Sequence, residues 1–159
     1  MTVKVLFVCL GNICRSPTAE GIFAHRLQEA GLQQQVEIDS AGTSDWHIGK
    51  APDARSIAAA NARGYAIDHL RGRQAIAEDF ARFDYILAMD TDNLALLQRL
   101  QPPGWKGRLG LFLEFAGDQA PVSVPDPYYG GEEGFQLVLD LLEEASDGLL
   151  ADIRKHHLS

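Results

Sequence analysis

Only two cysteines occur in the 159 residues, Cys9 and Cys14, and both lie in one short stretch near the N-terminus. Two thiols cannot make a framework of structural disulfides, and without nearby histidines they form a poor zinc site, so no metal or other cofactor is expected. No apolar run approaches the ~20 residues that a membrane-spanning helix needs. Basic residues are in the minority, 14 Lys and Arg against 22 Asp and Glu. The net charge of −8 disfavours nonspecific attraction to nucleic acid or to an acidic membrane surface. Met1-Thr2-Val3-Lys4 carries no charged leader region or cleavage site, which points to the cytoplasm. The rest is an ordinary globular composition, 46% hydrophobic and 23% charged, over a length that suggests one domain spanning residues 1–159.

Periodicity divides the chain into alternating strands and helices. Val3 to Val8 is almost continuously apolar, as a strand covered on both faces should be. A helix is predicted from Pro17, with Ser16 as its N-cap and Gly31 as its stop, carrying Ala19, Ile22, Phe23 and Leu27 on one face. Val36 to Asp39 reads as a short second strand and Ser40-Ala41-Gly42-Thr43 as the turn leaving it. A helix from Asp53 to Arg63, a helical turn at Glu78-Asp79-Phe80 and a strand Tyr85 to Met89 follow. Asp90 or Thr91 caps the next helix, which Pro102-Pro103-Gly104 ends, and Leu109 to Phe115 is the fourth strand candidate. The last helix begins between Gly131 and Glu133, with Phe135, Val138, Leu142 and Ile153 on its apolar stripe. The pattern predicts a doubly wound, four-stranded parallel sheet with helices on both faces, whose ligands bind beyond the carboxyl ends of the strands.

Cys9 stands at one such end, within Val8-Cys9-Leu10-Gly11-Asn12-Ile13-Cys14-Arg15-Ser16-Pro17. Main-chain N–H groups from Leu10 to Ser16, at the start of a helix, suit a phosphate dianion. Gly11 is expected at a positive φ, and Asn12 tolerates left-handed geometry while its amide can bond across the loop. Arg15 offers a planar fork that grips two phosphate oxygens at once. The same positive field favours a thiolate at Cys9, and Ser16 can donate its hydroxyl to that sulfur. An oxyanion cradle around a nucleophile is the arrangement of a phosphatase, but the leaving oxygen still needs a proton. Asp126, stiffened between Pro125 and Pro127, is the best candidate for the general acid.

The nucleophile loop together with Asp126-Pro127-Tyr128-Tyr129-Gly130 resembles the low-molecular-weight protein tyrosine phosphatases. The resemblance runs over nearly the whole chain and includes Ser40-Ala41-Gly42-Thr43, Pro52-Asp53, Arg73-Gln74 and the segment Phe83 to Asp90. It implies metal-free hydrolysis of phosphotyrosine through a phosphocysteine on Cys9, with Asp126 as acid and then base. It also implies that Ser40 braces Asn12, and that Trp46, Tyr128 and Tyr129 wall the substrate ring. Its substrates would be tyrosine-phosphorylated proteins, met by a monomer or weak dimer.

Cys14 reads either as a small buried thiol or as a partner that traps oxidised Cys9 as a disulfide, and the family precedent favours the second. The chain departs from its relatives where many carry histidine four residues before the glutamine equivalent to Gln74. Leu70 occupies that position here and His69 lies one step earlier. An arsenate reductase of this fold would need further cysteines. A protein-arginine phosphatase typically has threonine where this chain has Ile13. A non-catalytic phosphate-binding module would not need Cys9, Arg15 and Asp126 together.

Overall fold

The computed structural model describes residues 2–118, 120–128 and 131–158. Its strands are β1 (Val3–Cys9), β2 (Val36–Gly42), β3 (Tyr85–Ala88) and β4 (Arg108–Leu111), all parallel, in the order β2-β1-β3-β4. The helices are α1 (Arg15–Ala30), α2 (Ala54–Ala62), α3 (Asp79–Arg82), α4 (Thr91–Leu100) and α5 (Glu132–His157).

β1 pairs on both edges, with β2 and with β3. Its side chains alternate between two apolar layers, as strand periodicity requires. Val5, Phe7 and Cys9 join α1, α2 and α5 on one face, while Leu6 and Val8 join Phe80 of α3 and Leu97 of α4 on the other. Hence the uninterrupted hydrophobicity of β1. The chain winds to one side of β1 to make β2 and to the other to make β3, so the carboxyl end of β1 is the switch point where a ligand crevice forms.

Most boundaries shift by only a residue or two from the sequence expectation, and three of the differences have a clear physical cause. β2 does not stop at Asp39: Ser40, Ala41 and Gly42 pair with Phe7, Val8 and Cys9, so cross-strand pairing overrides their turn-like composition. The fourth strand stops at Leu111, and Phe112–Ala116 forms a 3-10 turn in which Glu114 Oε1 accepts the Leu111 N–H at 2.8 Å. Ser16 is not an N-cap: α1 already begins at Arg15, with Cys14 at the cap position and no side-chain bond there. The Ser16 hydroxyl is engaged elsewhere. By contrast, Asp53 and Asp90 cap α2 and α4, accepting the N–H groups of Arg55 at 2.9 Å and Asn93 at 2.7 Å.

Candidate active site

Between Cys9 and Arg15 the chain turns through a loop held from outside. The carbonyls of Cys9, Leu10 and Ile13 accept the N–H groups of Thr43, Ser44 and Asp53 at 2.8, 3.0 and 2.8 Å. Those partners do not line the pocket, so the peptide planes turn their oxygens away from it. Among the described residues, no protein acceptor meets the N–H groups of Leu10 to Ser16. These donors, at the positive end of α1, are free to bind an anion.

Asn12, rather than Gly11, takes the left-handed conformation, with φ of 58°. A Cβ at Gly11 would lie 2.9 Å from His47 Cδ2, so a side chain there would push the His47 ring aside. The Asn12 amide ties the loop together: Nδ2 donates to Ser16 Oγ at 2.8 Å and Ser40 Oγ at 3.0 Å, and Oδ1 accepts the Arg73 N–H at 3.0 Å. Ser40 Oγ donates in turn to Glu20 Oε1 at 2.7 Å. Asn12 gives both its amide hydrogens to serines, so the Ser16 hydroxyl proton is shared between the Cys9 sulfur 3.0 Å away and the Ala41 carbonyl at 3.4 Å. A chain of hydrogen bonds therefore runs from Glu20 to Cys9.

Arg15 is almost fully buried, 2% exposed. Its Nη1 donates to Asp90 Oδ2 at 2.6 Å and to the Val124 carbonyl at 3.0 Å, and Nη2 lies 3.5 Å from Asp126 Oδ2. Burial works against the charged form, but Cys9, Asp90 and Asp126 outweigh it and raise Arg15 above its ordinary value. Asp126 is about one-third exposed and its Oδ1 accepts the Tyr128 N–H at 3.1 Å, closing a turn over the pocket.

Cys9, Arg15 and Asp126 meet at one cavity of about 140 Å³, whose walls also take in Leu10, Gly11, Ile13 and Cys14. Trp46 and Tyr128 stand at its rim, Trp46 68% exposed, while Asn12, Ser16 and Ser40 support the loop from behind. Tyr129 lies outside the described residues. Burial pushes the Cys14 thiol up to about 12, so it rests as the neutral thiol. His69 is exposed, and among the described residues makes no hydrogen bond to Asn12, whose carbonyl oxygen is taken by the Arg73 main chain instead.

Three residues of the site were not singled out from the sequence. Asp90 reads as a helix cap, which it is, but its second oxygen holds Arg15. Its place just past the carboxyl end of a strand was the available signal. Glu20 is a carboxylate on an otherwise apolar helix face, pushed up to about 7 chiefly by burial. His47 carries no local mark of its place in the pocket wall.

The pocket brings main-chain N–H donors and a guanidinium together with a thiol and a carboxylate, a set that suits a tetrahedral dianion. That is the arrangement of a cysteine-dependent phosphatase. The chain belongs to the family described as low molecular weight phosphotyrosine protein phosphatase, whose model matches residues 4–158. It is 46% identical over 158 residues to a low molecular weight protein-tyrosine-phosphatase of Streptomyces coelicolor, covering 98% of this chain and 96% of that protein. The crystal structure of an Entamoeba histolytica protein tyrosine phosphatase with Hepes in its active site superposes with a TM-score of 0.93. That match is at 41% identity and covers 97% and 98% of the two chains. A Drosophila arginine phosphatase shares the fold at a TM-score of 0.89 and 35% identity, covering 96% of this chain and 98% of its own.

Proposed function

We propose that this chain hydrolyses protein phosphotyrosine in two steps through Cys9. The thiolate attacks phosphorus in line with the ester oxygen while Arg15 and the loop N–H groups hold the three non-bridging oxygens. As the P–O bond breaks, Asp126 gives its proton to the departing phenolic oxygen. The resulting carboxylate then takes a proton from water, whose oxygen attacks the phosphocysteine. The S–P bond breaks, phosphate leaves, and the Ser16 hydroxyl receives the thiolate by a hydrogen bond. Arg15 and the main-chain donors supply the charge stabilisation, so the scheme requires no metal.

The observation that carries this reading is convergence: Cys9 and Asp126, more than a hundred residues apart, face one cavity with Arg15 contacting the acid at 3.5 Å. The aromatic rim of Trp46 and Tyr128 and the apolar Ile13 in the wall favour an aryl phosphate over phosphoserine or phosphoarginine. The substrates we assign are tyrosine-phosphorylated cytoplasmic proteins, met by a monomer or weak dimer.

The test is hydrolysis of an aryl phosphate in excess chelator. Wild-type turnover should survive, Cys9→Ser should abolish it, and Asp126→Ala should lower it by about 10² to 10⁴ for a phenolic leaving group. Equal activity in the serine variant would end the thiolate scheme. Faster release of phosphate from phosphoarginine than from phosphotyrosine would move the substrate assignment.

A further inference from the structure

The segment carrying Asp126 is anchored on both sides of the carboxylate. On one side, the Val124 carbonyl accepts from Arg15 and the Val124 N–H donates to Met89 at the end of β3, at 2.8 Å. On the other side the anchor is Arg55, in the first turn of α2. Its Nη2 donates to the Tyr128 carbonyl at 2.8 Å, and its guanidinium lies 5.5 Å from the Tyr128 ring centroid and 4.9 Å from that of Phe135. Tyr128 N–H is the donor that holds Asp126 Oδ1.

Arg55 is itself oriented. Its Nε and Nη2 each lie 3.1 Å from one oxygen of Asp53, and the Asp53 N–H is bonded to the Ile13 carbonyl of the phosphate loop. Contacts thus run continuously from Ile13 through Asp53, Arg55 and Tyr128 to Asp126. A lysine could reach the Tyr128 carbonyl, but it could not also match both oxygens of Asp53 or lie flat against two rings. Arg55 is 48% exposed, and an ion pair so open to water contributes little to stability. What the arrangement does supply is a fixed distance between two loops that must act on the same phosphoryl group.

We propose that Arg55 is a positioning residue for the proton transfer, holding the Tyr128 end of the acid segment in register with the phosphate loop. It does not line the cavity that Cys9 and Asp126 share. The inference rests on the assignment of Asp126 as general acid, and the experiment separates the two. kcat/KM is measured on aryl phosphates whose leaving phenols range from strongly acidic nitrophenols to unsubstituted phenol, for wild type, Arg55→Ala, Arg55→Lys and Asp126→Ala. Circular dichroism and the thermal midpoint establish that each variant is folded.

A nitrophenolate departs without a proton, whereas phenolate, with a pKa of about 10, does not. Arg55→Ala should therefore lose about tenfold more on phenyl phosphate than on the nitrophenyl substrate, steepening the dependence on leaving-group pKa in the same sense as Asp126→Ala. Arg55→Lys should fall between the alanine variant and wild type. Loss of a mere ring-packing contact would lower all substrates equally and leave the slope unchanged. That result, with a steep slope in Asp126→Ala, overturns the role of Arg55 alone; a flat slope in Asp126→Ala overturns the acid assignment and the role of Arg55 with it.

Discussion

Arg15 Nη1 lies 2.6 Å from Asp90 Oδ2, at the junction where β3 gives way to α4. The other Asp90 oxygen caps α4, so one carboxylate both starts a helix and aims the phosphate-gripping guanidinium. Asp90→Ala should remove a cap and leave a buried cation short of its shortest partner, costing about 3 kcal/mol of stability. Denaturant unfolding measures that loss. Among the described residues, Arg15 then keeps only the Val124 carbonyl and Asp126 to orient it, so inhibition by inorganic phosphate should weaken by about tenfold. Unaltered phosphate affinity would show that the guanidinium does not need the Asp90 brace.

Glu20 is the group whose ionisation should couple folding to pH. Burial raises it from an ordinary 4.5 to about 7. Between those values the folded protein holds a proton that the unfolded chain has released, so stability falls as pH rises through this window. Glu20→Gln keeps an acceptor for Ser40 and removes the buried charge. Its stability relative to wild type should improve by roughly 3 kcal/mol between about pH 4.5 and about pH 8. Parallel pH dependences of the two proteins in urea unfolding would contradict this.

Gly42 pairs with Cys9, and there the phosphate loop passes over it. A Cβ at that position would lie 2.8 Å from Leu10 O and 3.2 Å from Asn12 N, both main-chain atoms of the loop. Gly42→Ala should displace the loop and reduce kcat/KM by about 10², with an overpacking cost of about 1–3 kcal/mol. Steady-state kinetics beside unfolding curves check both, and wild-type kcat/KM would refute the steric argument.

Peroxide should oxidise Cys9 to the sulfenic acid, and Cys14 sulfur should then displace water to form the disulfide. Burial holds the Cys14 thiol at about 12, so only a small fraction is thiolate at neutral pH and capture should accelerate as pH rises. Peptide mapping after brief peroxide exposure should recover Cys9 joined to Cys14, while Cys14→Ser should accumulate sulfinic and sulfonic Cys9. Recovery of sulfonated Cys9 alone from wild type would rule out protection by Cys14.

β1, its loop and α1 were legible because each has a local cause: continuous apolarity, a glycine and asparagine at a turn, a 3.6-residue stripe. The cap at Asp53 was legible for the same reason. Ser16 misled because a serine before a proline is a strong local signal for an N-cap, and the hydroxyl instead serves Asn12 and Cys9. Ser40 to Gly42 misled because small polar residues look like a turn until a neighbouring strand pairs with them. Arg55 was invisible as a positioning group and Asp90 was marked only by its place past the end of a strand, since their partners are distant in the chain.

The sequence by itself determined the alternation of strands and helices, and with it the parallel sheet. It also set a thiol and an arginine at a strand-to-helix junction. These follow from short-range periodicity and backbone sterics. Asp126 could be singled out from its place between two prolines, but only the tertiary structure decided what the other carboxylates do. Asp90 grips Arg15, Asp53 orients Arg55, and Glu20 stands at the far end of the chain of bonds to Cys9. Carboxylates carry no local mark of that division of labour: it arises from the packing that brings each to its partner, where burial and hydrogen-bond geometry give otherwise equivalent groups different chemistry.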